Sequence, residues 1–454
     1  MPVCGLEPGP VLRGHTGVGA RTARLRRTAP ETACASSAHP LSRDADRHLE
    51  TLASATSVFG TVSEGISVVS VSATAGAGTS NHHDLLVIGA GPYGYACAAY
   101  ARERGIRTHV VGRPMSFWRE NMPAGMFLRS GPDWHLDARG KDTFEAYFED
   151  RGLRVEDHDP IPIGVFCDYT DWFRQRKGFD VDERLVAELT KPTDTFAARM
   201  EDGSTLTAER VVAAPGIGHF TSMPPWYDQV PAKLRSHTCD LVSFDDLAGV
   251  RVVVIGGRQS AYEWAALLCD HGAEQVAVVH RHAAPAFAKV SWAFVDPYVD
   301  QTLAQRGWWR NLSSETRAAI TAEFWRVGRL TLEHWLAPRL SPDVVTTHAG
   351  CAVTAAASDG DTVALALTDA STLVVDRVVF ATGYRTNLEA VPYLGPVLDR
   401  VRVSDGWPEL DDGFQTSLPG LSVTGFASTR DFGPFYGFTK GCPSAARIAV
   451  DALG

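Results

Sequence analysis

The chain has 454 residues, about three times the roughly 150 of an average domain, so two folded units with additions are expected rather than one core. Its 44% hydrophobic and 21% charged residues, with 41 Gly and 26 Pro, exclude a collagen, a coiled coil or wholesale disorder. A formal charge of -10 without a basic stripe argues against a nucleic-acid partner, and no apolar run reaches the roughly 20 residues that cross a bilayer, so no membrane partner is expected either.

Residues 1–80 are rich in Ala, Ser, Thr, Gly and Arg and carry no periodic apolar face, which predicts a disordered N-terminal extension or a reading frame begun too far upstream. From His83 the text changes to a buried-strand run at 84–88, then glycines, then an Ala-rich helical stretch to about Arg104. A second copy opens at 251–255, again entering glycines and a helix at about 260–269. Each copy is followed by a hairpin turn, Asp202-Gly203 or Asp359-Gly360, and by a closing run, 209–216 or 376–383. The spacing from Gly89 to Gly216 is 127 residues, and from Gly256 to Gly383 it is also 127.

That duplication predicts an α/β protein with two Rossmann-like dinucleotide-binding units joined through β-meanders, the second inserted in the first. The boundaries expected are 82–245 with 376–454 for the first unit and 246–375 for the second, the latter carrying an aromatic helical segment at 290–340. Five of the 11 tryptophans fall there (Trp292, Trp308, Trp309, Trp325 and Trp335), as a core or as a substrate cap.

The first turn, Gly89-Ala90-Gly91-Pro92-Tyr93-Gly94, is G-x-G-x-x-G between strand and helix. Without a side chain at Gly91, a diphosphate can sit on backbone N–H groups at the positive end of the helix dipole. The next strand, 108–111, ends in Gly112-Arg113 where a ribose-binding acid is usual, leaving Arg113 to contact adenine or phosphate. The second turn, Gly256-Gly257-Arg258-Gln259-Ser260-Ala261, has Arg258 where the middle glycine belongs. That guanidinium either blocks a diphosphate or supplies its counter-charge. The strand after it ends in His280-Arg281-His282, and a cation without a carboxylate at Arg281 favours the 2′-phosphate of NADPH. Two nicotinamides have no use for each other, whereas a flavin accepts a hydride, so FAD with NADPH is the economical pairing.

With these motifs the chain, over 82–454, resembles the flavin-dependent NADPH monooxygenases of the two-dinucleotide class, most of all the branch of siderophore amino-acid N-hydroxylases. The resemblance rests on GAGPYG, on Phe117-Trp118 with Gly125-Met126 as a flavin-facing W…GM loop, on His237, on Ser260-Ala261 with Glu263, and on Ala381-Thr382-Gly383-Tyr384 as the closing A-T-G-Y. It implies cofactor contacts from Trp118, Met126, Thr382, Gly383 and Tyr384. Departures are Trp134-His135 where that branch has a glutamine, and Pro231 and Lys233 at the first two positions of its F-x-G-x-x-x-H fingerprint. The resemblance also implies that the last helix, near Pro443, points its N-terminus at the flavin.

The function expected is oxygenation of a small-molecule nucleophile, an amine first, with O2 captured as a peroxyflavin in a dry pocket. A flavin oxidase or reductase of the same fold, and a non-catalytic dinucleotide sensor, remain as alternatives, and a homo-oligomer stays open. No metal site is expected. The eight cysteines are dispersed, without a C-x-x-C pair, which disfavours a dithiol reductase and fits a reducing cytoplasm.

Overall fold

The structure, a computed structural model, describes residues 81–289 and 291–454; the expected extension at 1–80 lies outside the described residues. Strand β1 (His82–Ile88) is followed by helix α1 (Pro92–Glu103) and β2 (Thr108–Val111). Leu85, Leu86 and Val87 are wholly buried, as a central parallel strand covered on both faces requires. Pro92 opens α1, where its missing N–H costs nothing, and the small residues Ala96, Ala98 and Ala99 let the helix lie close to the sheet.

After helices α2 (Ser116–Glu120), α3 (Phe144–Arg151) and α4 (Ile163–Arg176) comes the antiparallel meander β3 (Val186–Thr190), β4 (Phe196–Met200) and β5 (Thr205–Ala213). The sheet order is β2-β1-β5-β4-β3. The second half of β5 pairs instead with a strand from far down the chain, 421–423.

The second sheet contains β6 (Arg235–His237), β7 (Arg251–Ile255) and, after helix α5 (Gln259–Asp270), β8 (Gln275–His280). Two residue pairs, β9 (Ala286–Phe287) and β10 (Thr331–Leu332), flank helices α6 (Asp296–Ala304), α7 (Trp308–Asn311) and α8 (Ser314–Glu323). Then come β11 (Val345–Ala349), the separate meander β12 (Val353–Ser358), β13 (Val363–Leu367) and β14 (Thr372–Val375), and the return strand β15 (Arg377–Phe380). The second sheet runs β11-β8-β7-β15-β6, all parallel. The small pair β16 (Val403–Ser404) and β17 (Trp407–Pro408), β18 (Leu421–Val423), and helices α9 (Thr429–Phe432) and α10 (Cys442–Asp451) end the chain. Among the described residues no helix is long and apolar enough to cross a membrane.

Two sequence expectations are corrected. The run at 376–380 was expected to complete the first unit, but β15 lies between β7 and β6 in the second sheet, with Val378 opposite Val253. Its three apolar residues fill the second sheet's interior, and Asp376 clamps Arg251 at 2.7 Å, which fixes that register. The first sheet takes β18 as its late strand, so the two sheets repeat one plan.

The aromatic segment also sits elsewhere than expected. Although its sequence is inserted in the second sheet's, Trp292, Trp309 and Phe324 pack into the first sheet's core with Phe435 and Tyr436. Trp309 Nε1 donates to the Arg430 carbonyl at 3.0 Å and Lys440 meets Asp296 at 2.7 Å, tying the segment to the C-terminal loops. Of the two roles expected for these aromatics, core packing is the one these three rings show.

Phe380, wholly buried under Trp226 and Tyr227, joins the return strand to the second sheet's core. Phe380→Ala is expected to cost about 3–5 kcal/mol, read as a lowered midpoint in chemical denaturation; a loss below about 1 kcal/mol would refute this placement of β15.

Candidate functional site

The two turns are built alike. Gly89 has φ +112 and Gly256 φ +144, and a Cβ on either would collide with a carbonyl oxygen of the closing segment, Ala214 or Ala381. A side chain at Gly94 would strike the Gly89 carbonyl, so helix α1 can approach its own turn only with hydrogen there. Gly91 differs: no atom lies within 4 Å of where its Cβ would point. Its N-cap position, without a side-chain cap, leaves the first N–H groups of α1 facing that open space.

The second turn is narrower. A Cβ on Gly257 would enter the His280 imidazole, and His280 is held by Tyr262 Oη at 3.0 Å. Burial, then His282, lowers the His280 pKa and keeps the ring neutral. Arg258 is the N-cap of α5, and its guanidinium lies 3.9 Å from the centre of the Trp325 ring. Ser260 and Arg281 are exposed at the same end of the second sheet.

The remaining predicted residues divide between places. Tyr93 turns away from the diphosphate position: its hydroxyl donates to the Phe438 carbonyl at 2.8 Å and to that of Tyr436, and burial raises its pKa. It anchors the C-terminal loop to the first turn. Thr382 Oγ1 donates to the Ser222 carbonyl at 2.5 Å, Gly383 accepts from Ser222 N, and Tyr384 bridges Thr221. These three residues thus form the crossing between the sheets. Phe117 reaches Tyr384, whereas Trp118 packs edge-on against Phe166, 4.7 Å between centroids. Met126 is buried in the second sheet's core, and Arg113 pairs with Glu120 at 3.0 Å. His237 is fully buried, 3.1 Å from Cys239 Sγ, and burial lowers its pKa, so it is neutral. Trp134, standing where a glutamine was expected, packs against Trp292.

Sequence reasoning missed a polar cluster between the turns. Arg129 meets Glu333 at 3.1 Å and donates to the carbonyls of Gly328 and Thr331, gripping the π-helical turn Phe324–Arg329. Gln259 accepts from Glu333 N at 3.0 Å. Glu263, 4% exposed, has its pKa pushed up by burial to about 8, against the pull of a Phe127 backbone N–H and of Arg129. Arg329 lies 5.2 Å from the Phe438 ring and 5.6 Å from Trp325. Burial, then Arg258 and Arg129, lowers its pKa. No linear motif joins Arg129, Arg258 and Arg329, which meet only in the fold.

The sequence profile of the pyridine nucleotide-disulphide oxidoreductases matches residues 83–323, more than half of the chain. The chain belongs to that family. A FAD-dependent urate hydroxylase of Xanthomonas campestris pv. campestris is 29% identical over 230 residues, 44% of this chain and 46% of that protein. A ferredoxin–NADP reductase of Nocardioides sp. is 30% identical over 205 residues, 44% and 54% of the two chains. The chain spans about half the length of the curated relatives it matches. Among solved structures, an ornithine N-hydroxylase of Kutzneria sp. 744 superposes with a TM-score of 0.69 at 17% identity, covering 82% of this chain and 99% of that one. An L-lysine 6-monooxygenase of Pseudomonas syringae gives 0.65 at 20% identity, covering 82% and 100%. These likenesses establish the two-dinucleotide fold. The family's name refers to disulphide chemistry, yet the six described cysteines of this member are all free. Cys97 and Cys442 share one core, where burial raises both thiols and keeps them protonated.

Two outcomes follow from this geometry. Gly91→Val fills the open position, so dinucleotide retention should fall while circular dichroism and melting temperature stay near wild type; full retention would remove the first turn from the site. Glu263 binds its proton up to about pH 8 when folded, against an ordinary value of 4.5. Between those values the folded chain holds more protons than the unfolded one, so this group's contribution to stability falls as pH rises. Glu263→Gln should therefore gain melting temperature over wild type progressively from pH 5 to 8.5; a constant difference would contradict the raised pKa.

Proposed function

We propose that this oxidoreductase is an FAD-dependent, NADPH-reduced monooxygenase that places one atom of O2 on a small nucleophilic molecule, an amine in first place. The observation that carries the reading is the open position at Gly91, together with a second, narrower glycine turn of the same strand–turn–helix order on a parallel sheet, in a chain whose described cysteines form no pair. The first turn fits FAD: backbone N–H groups at the start of α1 would hold the diphosphate, and the start of α10, where Gly441 lies against the Tyr93 hydroxyl, puts a second positive helix end near the same turn. The second turn fits NADPH with Arg258 supplying charge in place of the glycine and Arg281 free to meet a 2′-phosphate. When bound, the flavin would take a hydride from the nicotinamide and pass its electrons to O2.

The chain's own residues position and shield. Tyr93 holds the Tyr436–Phe438 loop over the first turn, and the rings of Trp292, Phe324 and Phe438 pack beside it, which excludes water from that side. Neutral His237 and protonated Tyr384, its pKa raised by burial and by Cys239, keep the crossing between the sheets uncharged. The relative named as a urate hydroxylase supports oxygenation, and the one named as a ferredoxin–NADP reductase supports use of NADP.

The test is turnover of the purified, yellow protein with NADPH, 18O2 and a panel of amines. Product carrying one 18O atom per NADPH consumed supports the reading, whereas stoichiometric hydrogen peroxide with every amine unchanged would make the protein an oxidase. Protein that takes up no FAD on reconstitution would be a sensor. Arg281→Ala should raise the Michaelis constant for NADPH roughly tenfold, the scale of one charge-assisted contact, and leave that for NADH unchanged.

A further inference from the structure

A line of contacts joins the two turns. Tyr93, on the first, bonds the Phe438 carbonyl; the Phe438 ring faces Arg329; Arg329 and Arg258 both lie near the Trp325 ring; and Arg258 belongs to the second turn. Along it, charge is uncompensated. Of the three guanidinium groups, Arg129 alone has a carboxylate, Glu333 at 3.1 Å. Among the described residues neither Arg258 nor Arg329 makes an ion pair, and Arg329 Nε is sealed from solvent without a hydrogen-bond partner. Glu263 offers no compensation, since its buried carboxyl prefers the neutral form.

Aromatic faces give a guanidinium partial relief, yet half-buried Arg329, its Nε sealed, lacks the donor satisfaction it had in water, while exposed Arg258 stands beside the same ring. Arg129 is held where it stands by Glu333, by the carbonyl of Gly328 in the turn that carries Arg329, and by the carbonyl of Thr331 just beyond it. Arg329 is thus carried on a turn that other residues hold, as a receptor must be, and Arg258 stands exposed against the same Trp325 ring, within reach of a ligand.

We propose that Arg329 and Arg258, beside Trp325, form a receptor for an oxyanion, a carboxylate or phosphate group of a ligand lying between the two turns. The proposal deepens the reading of the second turn as a ligand site. The anion has two sources: a phosphate of the dinucleotide, or the carboxylate of an amine substrate. The second source would make this enzyme select amines that carry an acid.

Inorganic phosphate titrated into the purified protein, followed by Trp fluorescence and by melting temperature, tests it. Saturable binding is expected in wild type, weakened roughly tenfold or more in Arg329→Met and in Arg258→Met, the scale of a lost charge-assisted contact, and partly restored in Arg329→Lys. Without phosphate, Arg329→Met should melt at or above the wild-type temperature, because an unpaired, half-buried cation with a sealed Nε is removed. Repeating the titration in saturating NADP+ separates the sources: loss of phosphate binding assigns the position to the dinucleotide, and undiminished binding assigns it to the substrate side. Lysine against cadaverine, one chain with and without its carboxylate, then reads substrate discrimination, which Arg329→Met should abolish in the second case. Absence of saturable phosphate binding in wild type, or equal binding in wild type and both Met variants, overturns the proposal. FAD retention and NADPH oxidation are read separately, so failure of the receptor is distinguishable from failure of the monooxygenase reading.

Discussion

Two backbone carbonyls set the architecture. Ala214 O presses on Gly89 and Ala381 O on Gly256, so each opening turn is locked to the strand that closes its sheet. The locks depend on parallel pairing that continues to the last residue, Ile88 beside Ala213 and Ile255 beside Phe380. With β1 and β7 fixed that way, α1 and α5 must begin at the carboxyl ends of the strands, where helix N–H groups can meet an anion. Any side chain at the two locking glycines would push the closing strand away, and the positive φ there excludes most residues independently.

The rest of the molecule joins these two ends. Segments remote in sequence do this: the aromatic insert packs on the first sheet although its neighbours build the second, and the C-terminal loop reaches back to Tyr93. Such crossing contacts set the rings of Trp292, Phe324 and Phe438 beside the arginine cluster, an arrangement neither sheet could supply alone. Arg129 extends the same logic, since its bonds to the carbonyls of Gly328 and Thr331 tie the insert down by hydrogen bonds as well as by apolar area.

The duplicated plan was legible because it is local. A buried strand, a glycine turn and a helix occupy about 20 consecutive residues, and the physical requirements on each are read from neighbours in sequence. Misplacement of 376–380 had the opposite cause. A short apolar run such as Val378, Val379 and Phe380 satisfies the interior of any parallel sheet, and only pairing chose β7 and β6 over the first sheet. Trp118 is a similar case, since a tryptophan beside a turn can face a cofactor or a helix, and Phe166 took it.

By itself the sequence determined that two nucleotide-type turns exist, where their glycines stand, and that no local cysteine pair accompanies them. The tertiary structure alone decided which sheet each late strand enters, that the tryptophan-rich insert joins the first core, and that Arg129, Arg258 and Arg329 converge. The division has one physical reason. Turn and helix-start geometry is fixed by backbone sterics within a few residues, whereas strand partners and charge clusters are fixed by contacts between segments tens to hundreds of residues apart, for which the linear text carries no distance.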